Sequence, residues 1–291
     1  EISATSAFSL VASGEVTEPV SVTVRLTMGV ITASGDGVTV VGSGTNTVGF
    51  QGTLAAVNRA LDSMVYTPPA DFNGRDLMVI SASLGSQEVS SVVTEVTVAP
   101  VNDAPVLAPD LISDLGGIVG GADDGFNTGT RVAALIEGKI SDVDAGALEG
   151  IYVSAADVEN GTWQFRLEGD DTWQEVDLAT AGADQALLLR SEDSLRFVPD
   201  PDFSGFSEIS FGAWDQSDGA AGSYADISRR GGTTAFSLDE GMAYISVAEP
   251  GDAPRLDTSI DHVLDNMVED IPNSENTGTL VSDLLADSLT I

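Results

Sequence analysis

The stretch V-S-V-T-V-R-L-T-M, Val20–Met28, alternates strictly between apolar and polar residues. Successive side chains of an extended chain point to opposite sides. Val20, Val22, Val24, Leu26 and Met28 therefore fall on one face, and Ser21, Thr23, Arg25 and Thr27 on the other. That is a half-buried β-strand with its valines turned toward a core. The same period runs through GVTVVGSG, VVTEVTVAP, TWQFRLE, LRFVPD, EISFGAW and MAYISVAEP. Gly, Asp, Asn and Pro separate these runs at short intervals, the pattern of a β-sandwich. One segment breaks the period. In GTLAAVNRALDSM, Leu54, Val57, Leu61 and Met64 share a face at helical spacing, which predicts a short helix.

The chain has 291 residues, enough for two or three domains, each able to bury a core without staples. No apolar run reaches the roughly 20 residues of a membrane helix, and no secretory leader is visible. The chain opens mid-strand on EISATSAF, which reads as a piece of something longer. Asp and Glu number 46 against 11 Lys plus Arg, a net charge of −35, and Lys139 is the only lysine. Such a charge disfavours nucleic acid and anionic membranes, which need basic surface. It suits a protein that gathers cations or stays soluble in salty water. With no cysteine, disulfides and thiolate metal sites are excluded, so stability rests on the cores and on any bound metal.

Repeats organise the chain. VAPVNDAPVL, Val98–Leu107, returns as VAEPGDAPRL, Val247–Leu256, with six of ten positions identical. NTGT recurs at the same offset of 149, at Asn127–Thr130 and Asn276–Thr279. YTPPADFNG, Tyr66–Gly74, is echoed by FVPDPDFSG, Phe197–Gly205, each between two strands. These echoes divide the chain into a first unit, 1–101, a second, 102–250, and the start of a third, 251–291. The last is too short to bury a full core, so it either dangles or borrows a neighbour's edge. In D-F-N-G and D-F-S-G, Phe72 and Phe203 read as core plugs while Asn73-Gly74 and Ser204-Gly205 turn the chain. Asp123 and Asp124, in a glycine-rich stretch, read as loop residues.

The D-A-P phrase thus lies between units. Its proline keeps Ala104 and Ala253 extended and stiffens the joint, while Asp103 and Asp252 place carboxylates there. ISDVDAG, Ile140–Gly146, adds a second acidic element, with Asp142 and Asp144 on the same side of an extended segment. Two adjacent anions repel unless a cation lies between them, and clustered carboxylates with backbone carbonyls suit Ca²⁺. The plainer alternatives are a solvated acidic turn for the pair and a rigid linker for Asn102–Pro105.

VNDAP at 101–105, ISDVDAG at 140–146, PADFNG at 69–74, PDFSG at 201–205 and FGAWDQSDG at 211–219 together resemble the cadherin-like, immunoglobulin-like tandem repeats of large bacterial surface proteins and RTX-type adhesins. The resemblance implies an all-β chain of tandem β-sandwich domains with a C-terminal partial repeat. It implies an exported, extracellular or cell-surface protein whose linkers and D-x-D pairs bind Ca²⁺, and it maps Asn102, Asp103, Asp142 and Asp144 onto one such site. Where the chain departs from the pattern, sites are lost. In FSLVASG, Phe8–Gly14, Leu10 and Ala12 stand in place of aspartates, so the first unit's own motif is degenerate. At the second joint Gly251 replaces Asn102, which leaves Glu249 and Asp252 as a half site.

The aromatics offer a rival. TWQFRLEGDDTWQEV reads as a hairpin turning at Gly169-Asp170, with Trp163, Phe165 and Leu167 inward and Trp173 opposite Arg166, within reach of a cation–π contact. Trp214 falls out of phase with Ile209, Phe211 and Ala213. Exposed, Trp173 and Trp214 could stack on sugars as a carbohydrate-binding module; half-covered, they are ordinary surface aromatics. Catalysis has little support. His262 is the lone histidine, no G-x-S-x-G elbow exists, and no carboxylate pair stands out as a glycosidase pair. The expectation is a non-enzymatic, adhesive stalk rigidified by calcium. Its partners are neighbouring repeats of the same chain and a surface polysaccharide or a host or biofilm protein, with no nucleic acid and no membrane insertion.

Overall fold

The computed structural model describes residues 8–85, 87–121, 127–249, 255–256 and 289–290. The chain is predominantly β, in several sheets. The first unit contains β1 (Val20–Leu26), β2 (Val30–Thr32), β3 (Val38–Val41), β4 (Thr47–Gly52), α1 (Leu54–Asp62), β5 (Val65–Thr67), β6 (Gly74–Leu84) and β7 (Gln87–Val98). The alternating strand sits at the centre of a five-stranded antiparallel sheet, ordered β3-β4-β1-β6-β7. Val20, Val22, Val24 and Leu26 are buried as the period requires. They pack beneath α1 and the short β2–β5 pair, with Phe50, Val57, Leu61 and Ile80. Thr53 caps α1 by accepting the Ala56 N–H, which starts the helix where apolar spacing changes from two to three or four.

Met28 departs from the expected face and is 48% exposed. The strand ends before it because the buried carboxylate of Asp76 accepts the N–H groups of Thr27, Met28 and Gly29 and turns the chain toward β2. Tyr66 donates its hydroxyl to the same carboxylate. Burial first, and then Asp76, push this phenol up to about 12.

The second unit contains β8 (Val106–Leu107), β9 (Ile112–Val119), β10 (Thr130–Arg131), α2 (Val132–Ile136), β11 (Ile140–Ser141), β12 (Gly150–Ala156), β13 (Gly161–Arg166), β14 (Gln174–Glu175), α3 (Leu178–Ala181), β15 (Gln185–Arg190), β16 (Ser194–Pro199), β17 (Gly205–Trp214), β18 (Tyr224–Asp226) and β19 (Phe236–Ala248). A six-stranded sheet, β18-β15-β12-β17-β19-β9, faces a four-stranded one, β10-β16-β13-β14. Trp163, Phe197, Phe211, Ile151 and Leu187 fill the space between them. Phe203 packs edge-on against Phe197, as a core plug should.

The six-stranded sheet is apolar on both faces. Tyr152, Leu188, Trp214, Ala235 and Phe236 form another cluster on its far side, under the segment that leads from β17 to β19. Beyond the second unit, β20 (Arg255–Leu256) pairs with β21 (Leu289–Thr290). The partners Leu256↔Leu289 and Arg255↔Thr290 repeat, at the offset of 149, Leu107↔Ile140 and Val106↔Ser141 of the β8–β11 pair.

A carboxylate cluster at the first joint

The chain leaves β7 and enters β8 through Val101–Pro105, and this linker is strapped to one end of the second unit. Asn102 donates through Nδ2 to Asp215 Oδ2 at 2.8 Å and to the Thr234 carbonyl at 3.2 Å. The Asp103 N–H donates to Asp144 Oδ2 at 2.9 Å, and the Ala104 N–H to the Gly232 carbonyl at 2.8 Å. Asp215 follows directly on β17, is 5% exposed, and uses its other oxygen to accept the Ser217 N–H. Asp142 and Asp144 lie in the turn after β11, where Asp142 Oδ1 accepts the Asp144 N–H at 2.8 Å.

The second oxygen of Asp142, Oδ2, is buried and has no hydrogen-bond partner. Burial pushes this carboxyl above its ordinary range. The Asp144 N–H works against the shift, and the negative charges of Asp144, Asp215 and Asp103 add to it. Every charge that bears on Asp142 is therefore an anion. Among the described residues, no three acidic or histidine side chains close to the spacing of an assembled metal site in this conformation. N–H donors now hold the carboxylates. The donor chemistry is nonetheless all oxygen, with one buried oxygen unanswered, and this set fits a hard divalent cation.

The structure thus brings Asn102, Asp103, Asp142 and Asp144 to one place and adds Asp215, which sequence reasoning did not single out. Its signal lay in FGAWDQSDG, where an aspartate directly follows a strand. Glu249 is exposed beyond the other end of β19, and Asp252, Asp123, Asp124 and His262 lie outside the described residues. In the first unit, Leu10 packs on the core and exchanges two hydrogen bonds with Asn58 of α1, so an apolar clasp replaces the acidic turn.

The aromatic pair requires a correction. Trp214 is 2% exposed, not a surface residue, and donates its Nε1 proton to the Asp218 carbonyl at 2.7 Å. It lies on the face opposite Phe211, and it is buried because that face of the six-stranded sheet is covered as well. Trp173 is half-buried, with Arg166 4.7 Å and Arg196 4.5 Å from its ring centre. Two guanidinium groups thus already lie against the ring, and a sugar would have to displace one.

No helix among the described residues is long and apolar enough to cross a membrane. No family model and no curated protein matches the chain. Similar solved structures include the C-terminal domain of the AgI/II polypeptide BspA of Streptococcus agalactiae. It is 11% identical at a TM-score of 0.21, with 79% of this chain and 84% of that chain covered. A second BspA structure is 10% identical at the same TM-score and coverage. Likeness this loose carries neither a fold nor a function across.

Proposed function

We propose that the chain is a non-enzymatic, adhesive stalk segment of a bacterial surface or secreted protein, built from cadherin-like sandwiches whose first joint is set by Ca²⁺. The observation that carries this reading is the buried, unpartnered Oδ2 of Asp142, among carboxylates that the linker itself contacts. Asp142, Asp144 and Asp215 would supply carboxylate oxygens, and Asn102 and Asp103 would join them from the linker. A bound cation neutralises the repulsion among these anions and ties Asn102–Asp103 to the end of the second unit. Because it binds only the folded arrangement, it stabilises that arrangement by mass action.

Thermal unfolding in excess calcium and in chelator, at constant ionic strength, tests the reading. A calcium-specific rise that magnesium does not reproduce is expected, because Mg²⁺ demands a smaller octahedral site. The rise should vanish in the Asp142→Ala/Asp144→Ala variant. An equal melting temperature in calcium and chelator would remove calcium from the proposal and leave the joint as a stiff proline linker.

A further inference from the structure

Inside the six-stranded sheet of the second unit, two neighbouring strands part company. The pairing of β12 with β15 stops at Val153↔Leu187, yet both strands go on. A bulge at Ser154 carries β12 onward against β17 alone, with Ala155↔Ser210 and Ala156↔Ile209. On the other side β15 pairs with β18 alone at Ala186↔Ala225 and Gln185↔Asp226. Between the splayed strands lies a cleft of about 490 Å³. Ser154, Ala155 and Ala156 line one wall, and Ala183 and Gln185 the other. The end of β14 and α3 close its back, where Glu175, Asp177 and Ala179 line it.

The sandwich does not require this opening. In the first unit β1 holds the place of β12, between β4 and β6. Its pairing with β4 runs unbroken from Val20↔Gly52 to Arg25↔Thr47, and the Leu26 N–H then reaches the Asn46 carbonyl at 2.8 Å. Its pairing with β6 has no shift of register. The cleft is therefore a product of the bulge, a device that ends pairing where a site is to be opened. Small side chains keep it open, since Ala155, Ala156, Ala179 and Ala183 reach no further than a methyl group. The back wall is fixed in place. Asp177 caps α3 by accepting the Thr180 N–H at 3.0 Å, and donates its own N–H to the Tyr224 hydroxyl at 2.7 Å.

The lining selects the ligand. Glu175 and Asp177 are its only ionisable side chains, so the cleft repels anions and favours a cation. Its lining has no aromatic ring on which a sugar could stack. What the diverging walls offer is strand edge, where N–H and C=O groups alternate, and the amide of Gln185 adds one more donor and acceptor. An extended peptide matches such an edge with its own main chain. We infer that the cleft binds a short extended peptide segment of another protein, one that carries Lys or Arg. Its main chain pairs along Ser154–Ala156 and its cation lies against Glu175. Three extended residues advance about 10 Å, the length of that wall. The cleft contains none of the joint carboxylates, so loss of peptide binding and loss of the calcium effect are separate results.

NMR titration of the full 291-residue chain in calcium tests this with three probes: acetyl-Val-Lys-Val-amide, acetyl-Val-Glu-Val-amide and cellotriose. Valine is chosen to favour the extended form. The lysine peptide should give saturable shifts at Ser154–Ala156 and Gln185, and the glutamate peptide should bind at least about tenfold more weakly. Glu175→Gln should weaken the lysine peptide about fivefold. Ala179→Trp, at an exposed position of α3, should fill the cleft and abolish the shifts without changing the melting temperature. No saturable shift with the lysine peptide, equal affinity for the two peptides, or unchanged binding in Ala179→Trp overturns the proposal. So does binding of cellotriose alone, which would make the cleft a sugar site.

Discussion

In Asp142 the two carboxylate oxygens have opposite fates: one accepts the Asp144 N–H and the other is buried with no donor. Its pKa lies above the ordinary carboxylate value in the folded chain, chiefly through burial. Holding the ionised form works against folding at neutral pH, and this penalty disappears as pH falls through the raised pKa and the proton binds. Calcium needs the ionised form, so its affinity should fall over the same interval, above the pH at which an ordinary aspartate protonates. Asp142→Asn keeps an acceptor for the Asp144 N–H and removes the charge. In chelator this variant should melt higher, by about 2–4 °C for each ~1 kcal/mol regained. In calcium it should fail to show the wild-type rise. Calorimetry in the two buffers reads both signs, and a variant that melts lower in chelator would mean that Asp142 is stabilising without metal.

The two hairpins β6–β7 and β17–β19 show how one element is finished differently in each unit. By register Asp76 of β6 stands where Ser207 stands on β17. Asp76 gathers three backbone N–H groups and the Tyr66 hydroxyl, whereas Ser207 accepts the Trp163 Nε1 proton at 3.0 Å. Asp76→Ala would strand these donors, several of them buried, and should cost about 2–4 kcal/mol in urea unfolding. A loss below ~1 kcal/mol would show that water or neighbouring carbonyls take them over. Strands such as β1 and β13 were legible in the sequence because one face is wet, so period two survives. The burial of Trp214 was not legible on that rule, since β17 is covered on both sides. The available signal was elsewhere, in the unbroken run Ala186–Leu189 of β15, which marks a sheet buried on two faces. The acidic pair at 142 and 144 could be found locally, whereas the local signal at Asp215 could not tie it to its partner Asn102, 113 residues away.

At the scale of the whole molecule, the cluster's placement decides which part calcium stabilises. Asp142, Asp144 and Asp215 all belong to the second unit, and Asn102 and Asp103 to the linker; the first unit contributes none of them. The two units have separate hydrophobic cores, one gathered from residues between Val20 and Val98 and the other from Leu107 to Val247. Heating should therefore give two transitions, and calcium should move only the one belonging to the second unit. An extracellular calcium module binds with a Kd of about 10⁻⁴–10⁻³ M. At one hundred times Kd the stabilisation is about 2.7 kcal/mol, which is about 5–10 °C for a unit of this size. Asp76→Ala should move the other transition and leave the calcium-sensitive one in place, which assigns each peak to its unit. If calcium raised both transitions equally, the ion would be acting on the net charge of −35 as a whole. Magnesium would then reproduce the rise, because screening does not distinguish the two ions.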